Sequence, residues 1–489
     1  MKFVSYKKLM LCLAALIMLA GQTWALDLPV KRIKGKQYYY HKVKKGESIY
    51  GLSKHLGISI DEILASNPEA ADGISKGDIL IFPVDEYTQT DATDSTAENT
   101  TDAFGSTRDA KPDTVEHRKK PAIAMLLPFG LNSSEPTRAN TLALDFYKGA
   151  LIAADSLSKS PGPVTIISRD IDGMSAQAIS HMVATDTLLN TATVIIGPED
   201  DTSLIAIADA AAKNGSYVFN VLNVRDSLYA SNRFAVQANV PQRQMYKLAV
   251  DALMADFNGY QPVILHSATG RNNKAAFTAY LTERYRELGI EPRVIEYQTN
   301  LLTADMEVLP TDAGEKYVVI PSDGSITEFN RFAHVLRALR DRLGDAPDTT
   351  GTLGSGLRSR LEVFGYPDWT AFRGDALDLL HRLGATVYSR FFDDFNGFSV
   401  RNIASDFKYW YGTTMLESAP TYGILGYDTA TYLIKNIRQH SGVYNPNSVL
   451  PYSGIQSTFD FVPSGEGYVN NSIYIIRYLA GGGLAARVQ

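Results

Sequence analysis

The strongest constraint in this sequence is an alternation that starts at residue 121, where short apolar runs are followed by amphipathic helical patterns. The first run, residues 122–127, has no polar alternation, which is typical of a strand buried on both faces. Thr141 is the predicted N-cap of the next helix. The apolar face of that helix contains Leu142, Phe146, Ala150, Ala153 and Leu157.

The same order recurs along the chain. Further strands are predicted at residues 164–168, 194–197, 217–221 and 263–266, and further helices at 202–213, 242–254 and 274–288. Strands that alternate with helices in this way require parallel sheets covered by helices, so the predicted fold class is α/β.

The N-terminus predicts export. Residues 1–8 carry three lysines, residues 9–20 are an almost unbroken apolar run, and small residues lead to Ala25. This is the order of a secretory signal peptide at residues 1–25, with cleavage expected after Ala25. The run is too short for a good membrane span, and no later segment has the apolar length that a bilayer needs, so we expect no span in the mature chain.

Cysteine content and charge exclude several classes of site. The single cysteine, Cys12, lies inside the apolar run and lacks the small residue that precedes a lipidated cysteine. A mature chain without cysteine has no disulfide, thiolate metal site or cysteine nucleophile. The net charge of -6 arises from mixed signs and gives no basic face for nucleic acid.

A small module precedes the long alternation. Residues 38–43 form a predicted strand, and Ile49, Leu52 and Leu56 recur at helical spacing. Ser59 and Glu62 then form a capping box for a second helix, and residues 79–82 form a second strand. The predicted order is strand, helix, helix, strand (βααβ).

Four blocks of residues in this module resemble the LysM family: VKKGESIY at 43–50, LGIS at 56–59, NP at 67–68 and GDILIFP at 77–83. The resemblance implies a module at residues 38–84 that binds the N-acetylglucosamine units of peptidoglycan in a shallow groove. The implied glycan-binding residues are Gly46, Glu47, Ser48, Tyr50, Asn67, Pro68, Asp72 and Ile74. A LysM fold with a groove that no longer binds glycan is the alternative.

Residues 87–120 are rich in Thr, Asp, Ser and Ala and have almost no large apolar side chains. Such a segment cannot build a core. We predict a flexible linker with a root-mean-square span of roughly 30 to 40 Å.

The region after the linker resembles the type I periplasmic binding proteins of the leucine/isoleucine/valine-binding branch. The resemblance is carried by IAMLLPF at 123–129, FYKGA at 146–150, IIGPED at 195–200, RFAV at 233–236, GYDTA at 426–430 and a closing hairpin at 459–479. It implies a hinged domain of two lobes at residues 121–480, with a ligand in the cleft between them.

The cleft residues implied by this resemblance are Asp200, Asp201, Thr202, Asn223 and Arg225. Together with Glu199, the two aspartates place three acids where amino-acid-binding relatives offer donors to a ligand carboxylate. An amino acid would be repelled there unless Arg225 compensates. Favourable charge at a helix N-terminus is an equally good explanation of the two aspartates.

The sequence contains no recognisable catalytic, metal or cofactor motif. The eight histidines form no pair at metal-ligand spacing. Ser156 and Lys159 satisfy a Ser-x-x-Lys pattern, but the motifs that accompany it in penicillin-recognising enzymes are missing. We therefore expect a protein that is not an enzyme and that has no cofactor.

Three functions remain open at this point. The first is a periplasmic, cell-wall-associated binding protein of a Gram-negative bacterium that captures a small ligand, such as an amino acid derivative or a wall fragment. The second is a docking regulator of wall synthesis or envelope assembly, with an envelope protein as partner. The third is an enzyme of peptidoglycan turnover, which the resemblance supports least.

Overall fold

The computed structural model describes residues 30–33, 36–44, 52, 63, 67, 70, 74, 76–83, 121–158, 162–224, 228–310, 314–345, 359–392, 397–448 and 451–489. The predicted signal peptide and linker lie outside this set. The chain divides into two compact units, residues 1–114 and residues 115–489.

The first unit contains a three-stranded antiparallel sheet in the order β1-β2-β3. Its strands are β1 (Val30–Ile33), β2 (Lys36–Lys42) and β3 (Ile79–Pro83). The sequence predicted β2 and β3 to within two residues at each end, but it did not predict β1, whose basic residues lack an apolar pattern. Among the described side chains of this unit, the buried apolar ones are Val43, Leu52, Ile63, Ala70 and Leu80.

The second unit consists of two α/β lobes, each built on a seven-stranded sheet, so the predicted fold class is confirmed. The first-lobe sheet has the order β16-β17-β8-β7-β6-β4-β5. Its strands are β4 (Ala122–Leu127), β5 (Thr165–Asp170), β6 (Val194–Ile196), β7 (Tyr217–Asn220), β8 (Ala235–Gln237), β16 (Phe461–Ser464) and β17 (Gly467–Asn470).

The second-lobe sheet has the order β10-β9-β11-β12-β13-β18-β19. Its strands are β9 (Gln261–Ser267), β10 (Arg293–Tyr297), β11 (Tyr317–Pro321), β12 (Leu361–Gly365), β13 (Thr386–Ser389), β18 (Tyr474–Tyr478) and β19 (Leu484–Val488). Two short strands, β14 (Tyr452–Ser453) and β15 (Thr458–Phe459), pair separately. Strand β19 lies beyond the predicted end of the domain at residue 480.

Helices cover both sheets. Those of the first lobe are α1 (Arg138–Ser156), α2 (Ala176–Thr185), α3 (Asp201–Lys213), α8 (Phe398–Tyr411) and α9 (Tyr422–Gln439), and those of the second lobe are α4 (Gln242–Asp256), α5 (Ala275–Glu287), α6 (Ile326–Arg342) and α7 (Asp375–Leu383). None of the helices within the described residues is long and apolar enough to cross a membrane.

Helix α1 begins earlier than the sequence predicted. Its N-cap is Thr137, whose side-chain hydroxyl accepts from the backbone N–H of Asn140. In return, the Asn140 side-chain Oδ1 accepts from the backbone N–H of Thr137 at 2.8 Å. Thr141 therefore lies inside the helix, where its hydroxyl donates to the Thr137 carbonyl. The N-cap lies at Thr137 because the Thr-x-x-Asn box satisfies two backbone donors, whereas a lone threonine satisfies one.

Helices α1 and α9 pack with their backbones in contact. A Cβ atom on Gly149 would lie 1.8 Å from the Gly423 carbonyl oxygen, and one on Gly426 would lie 1.9 Å from the Phe146 carbonyl oxygen. Two of the motifs that carried the family resemblance therefore contain glycines because this helix crossing leaves no room for a side chain.

Candidate functional site

The described residues of the first unit place one predicted glycan-binding residue in its interior. Asn67 is fully buried, and its side-chain amide donates to the Ile63 carbonyl at 2.8 Å. This bond fixes the chain where the second predicted helix ends, so the Asn67 side chain supports the module from inside. Ile74 is half-buried.

The other predicted glycan-binding residues, Gly46, Glu47, Ser48, Tyr50, Pro68 and Asp72, lie outside the described residues. The framework around them is nevertheless visible. The Val43 N–H donates to the Asp78 carbonyl, and the Gly77 N–H donates to the Val43 carbonyl, both at 2.8 Å. These two bonds tie the end of strand β2 to the turn before strand β3.

In the second unit, the carboxyl ends of the first-lobe strands are the expected ligand site of an open α/β sheet. The loop after strand β4 turns its backbone donors toward Asp170, whose carboxylate accepts from the N–H groups of Phe129 at 2.9 Å and Leu131 at 2.8 Å. It also accepts from Gly130 and Asp172. Burial alone would raise the pKa of the Asp170 carboxyl, but these backbone donors outweigh it and lower the pKa. An internal carboxylate thus occupies the donors that an anionic ligand would need.

In the Gly-Pro turn after strand β6, residues 197–201, two acidic side chains bond to other groups of the protein. Asp200 is the N-cap of helix α3 and accepts from the Ser203 N–H at 2.9 Å. The buried Asn223 amide donates to the Asp201 carboxylate and to the Glu199 carbonyl. The structure thus brings Asp201 and Asn223 together.

The two remaining predicted cleft residues differ in what the structure shows. Thr202 is exposed in the first turn of helix α3, and Arg225 lies outside the described residues. The helix-capping explanation of Asp200 is the one that the geometry supports.

The strand ends of the second lobe are bonded to one another. Lys274, at the start of helix α5, forms an ion pair of 2.6 Å with Asp368 and lies over the Tyr366 ring at 5.2 Å. The Gly324 N–H donates to the Asn273 side chain at 2.9 Å, and the Trp369 indole donates to the Gly324 carbonyl. The loops after strands β9, β11 and β12 therefore hold each other, and Lys274 fills the space beside Gly324.

Three chain crossings connect the lobes, between β8 and α4, between β13 and α8, and between β17 and β18. The Arg390 guanidinium donates to the Val240 carbonyl at 2.7 Å, and the Asn470 amide donates to the Ala238 carbonyl at 3.0 Å. The residues where these crossings meet enclose no measurable cavity. The junction is therefore packed, and its first crossing is bonded to each of the other two.

Helix α9 anchors the loop that leads into this junction. Asp428 is fully buried, and its carboxylate accepts from the N–H groups of Ile455, Gln456 and Ser457 at 2.8 to 2.9 Å. Burial raises the pKa of this carboxyl to about 6 against the opposing effect of those donors. In the sequence, Asp428 stands within the GYDTA motif at 426–430. An acid within the otherwise apolar stretch around it was the signal of a buried role.

Within the described part of the chain, no group of three or more His, Cys, Asp or Glu side chains could hold a metal ion.

Comparisons with known proteins agree with this architecture. The LysM domain model matches residues 41–83. A putative branched-chain amino acid ABC transporter protein from Rhodospirillum rubrum is 14% identical with a TM-score of 0.50, and the match covers 75% of this chain and 99% of that one. This likeness shows the fold alone.

Two further solved structures have lower TM-scores. A branched-chain amino acid ABC transporter protein from Rhodopseudomonas palustris is 14% identical with a TM-score of 0.44, covering 75% of this chain and 96% of that one. LpoA from Haemophilus influenzae is 14% identical with a TM-score of 0.45, covering 76% of this chain and 59% of that one. No curated protein matches the sequence. The chain therefore contains a LysM domain at residues 41–83, followed by a domain with the two-lobed fold of type I periplasmic binding proteins.

Proposed function

We propose that this protein is an exported, non-catalytic component of the bacterial envelope, that its LysM domain holds it on peptidoglycan, and that its two-lobed domain docks another envelope protein. Residues 1–25 serve as the export signal in this proposal, and residues 87–120 serve as the flexible linker. The LysM match and the fold of type I periplasmic binding proteins both support a location at the cell wall.

Docking is favoured over amino acid capture because the polar groups at the strand ends are already bonded to other groups of the protein. In the first lobe, the Asp170 carboxylate takes the backbone donors after strand β4, and Asn223 is bonded to Asp201. In the second lobe, Lys274 is paired with Asp368. A free amino acid would have to displace these internal bonds, and the cost of breaking them subtracts from its affinity.

Helix α8 adds support for a protein partner. Tyr409 and Trp410 on this helix are 81% and 58% exposed and contact each other edge to face at 5.5 Å. Exposed tyrosine and tryptophan are enriched where proteins meet, because each covers a large area with few rotatable bonds.

Thermal denaturation of the purified protein with each free amino acid separates capture from docking. A ligand present at one hundred times its dissociation constant adds about 2.7 kcal/mol to the free energy of unfolding. We expect no such gain from any amino acid. A concentration-dependent rise in melting temperature with one of them would contradict the docking proposal.

A photo-crosslinking residue tests docking directly. We expect Trp410→p-benzoylphenylalanine to form a discrete protein adduct on irradiation of intact cells, and the same residue at the exposed position Arg382 on helix α7 to form none. Adducts absent at 410, or equal at both positions, would argue against docking through helix α8.

Retention on the wall is tested by sedimentation with insoluble peptidoglycan. Deletion of residues 38–84 should remove most of the sedimenting protein, because the predicted glycan groove lies there. Deletion of residues 88–107, in the predicted linker, is the control and should leave sedimentation unchanged. Undiminished sedimentation after loss of residues 38–84 would refute the role of the LysM domain.

A further inference from the structure

A groove of about 320 Å³ lies between the two lobes, and its lining shares no residue with the strand-end sites described above. Its described lining comes from both lobes and consists of Tyr229, Arg243, Gln244, Lys247, Tyr280, Ser464 and Val469. None of these residues is acidic, although the protein as a whole carries a net charge of -6. The groove therefore concentrates positive charge on an otherwise acidic molecule.

The position of Arg243 argues against a role in helix stability. Arg243 is the second residue of helix α4, whose first turn contains no acidic residue and whose N-cap, Pro241, makes no side-chain cap. A cation at this end of a helix is disfavoured by the helix dipole. Arg243 is exposed and has no ion-pair partner among the described residues. The arrangement becomes favourable when an anion lies in the groove.

Lys247 reinforces this charge, because residues four apart on a helix lie on the same face. Its ammonium contacts Asp251 at 3.2 Å, but the lysine side chain is 55% exposed, and an exposed pair of this kind is weak. Asp251 also lies 3.9 Å from Arg284, so its charge is shared. Two cations one turn apart suit a ligand with two or more carboxylates.

The other lining residues suit a peptide. The half-buried Tyr229 and Tyr280 offer ring faces and phenol groups, Ser464 offers a hydroxyl, and Val469 gives an apolar wall. A volume near the lower end of small-ligand pockets, about 300 Å³, accommodates a short peptide rather than a folded surface.

We propose that this groove binds the anionic stem peptide of peptidoglycan. The occupant follows from charge complementarity and from the LysM domain, since a protein held on the wall meets these carboxylate-bearing peptides at high effective concentration. The inference takes only wall retention from the function proposed above and does not depend on protein docking. Because both lobes line the groove, the bound peptide bridges them.

The test measures binding of the full-length mature protein to three soluble probes by titration calorimetry. The probes are a disaccharide-tetrapeptide, the same compound with its peptide carboxylates amidated, and an N-acetylglucosamine oligomer without peptide. We expect the free acid to bind about tenfold or more tightly than the amidated form, and Arg243→Glu with Lys247→Glu to abolish that preference. Binding of the oligomer, which reports on the LysM domain, should not change.

The control pair Arg401→Glu with Lys408→Glu makes the same charge change on exposed residues of helix α8 and should bind like the unaltered protein. If the protein with Arg243→Glu and Lys247→Glu misfolds, the protein with Arg243→Gln and Lys247→Gln is measured instead. Equal affinity for the free and amidated probes would overturn the proposal. So would tighter binding of the acidic peptide acetyl-EAEAE-amide than of the disaccharide-tetrapeptide, which would point to a protein segment instead. Loss of oligomer binding alone would count against the LysM domain and not against the groove.

Discussion

Replacing Gly149 with alanine should force helices α1 and α9 apart. The added Cβ would lie 1.8 Å from the Gly423 carbonyl oxygen, whereas real Cβ atoms essentially never approach closer than 3.0 Å. The helices must therefore separate by about 1.2 Å, the difference between those two distances, since a backbone carbonyl cannot rotate away as a flexible side chain does.

The expected loss of stability follows from two opposing contributions. Overpacking of a close contact costs about 1 to 3 kcal/mol, and the severity of this overlap places Gly149→Ala at the upper end. The helix propensity of alanine returns about 1 kcal/mol. We therefore expect the free energy of unfolding to fall by about 2 kcal/mol.

The assay is urea denaturation of the purified protein, with Gly481→Ala as the control. A Cβ on Gly481 would meet no atom within 4 Å, and its φ is not positive, so that variant should denature at the original midpoint. Gly149→Ala combined with Gly426→Ala should cost less than the sum of the single changes, because one helix separation relieves both clashes. A Gly149→Ala protein at least as stable as the original would refute the backbone contact.

Two further predictions concern buried charges. The Arg477 guanidinium is 1% exposed and is bonded to the Glu362 carboxylate at 2.9 Å. Glu362→Gln removes its counter-charge and should lower the free energy of unfolding, measured in urea, by about 3 to 5 kcal/mol. Loss of the exposed pair through Glu291→Gln is the control and should have little effect. The folded-state pKa of Asp428, about 6, lies above the unfolded value of 3.8, so the folded protein takes up the proton first as the pH falls. As the pH falls from 7 to 4, this group should therefore raise the free energy of unfolding by up to about 3 kcal/mol. Asp428→Asn should lack this contribution. If the free energies of unfolding of the two proteins changed in parallel with pH, the raised pKa of Asp428 would be contradicted.

Local pattern was enough to predict the α/β alternation, whereas the two lobes were predicted from the family resemblance. The apolar run at residues 122–127 matches strand β4 at both ends, because a strand buried on both faces has an uninterrupted apolar sequence. Helix α3 was predicted to within one residue, since its apolar period and its N-terminal acids are both readable. The LysM blocks were recognisable because the residues of each block lie close together in sequence.

The candidate site was less predictable. Asp200, Asp201 and Asn223 were identified, but their roles became visible only when the structure showed Asp200 capping helix α3 and Asn223 bonded to Asp201. The groove at Arg243 gave no sequence signal, because its described lining is spread from residue 229 to residue 469.

What the sequence determined by itself is therefore the α/β alternation and the LysM motif, both of which depend on spacing within a few turns or strands. The tertiary structure alone decided which polar groups are already satisfied. Asp170 meets Leu131 across 39 residues, Lys274 meets Asp368 across 94, and Arg477 meets Glu362 across 115. Such pairs form where packing places distant segments side by side, and local periodicity carries no record of that placement.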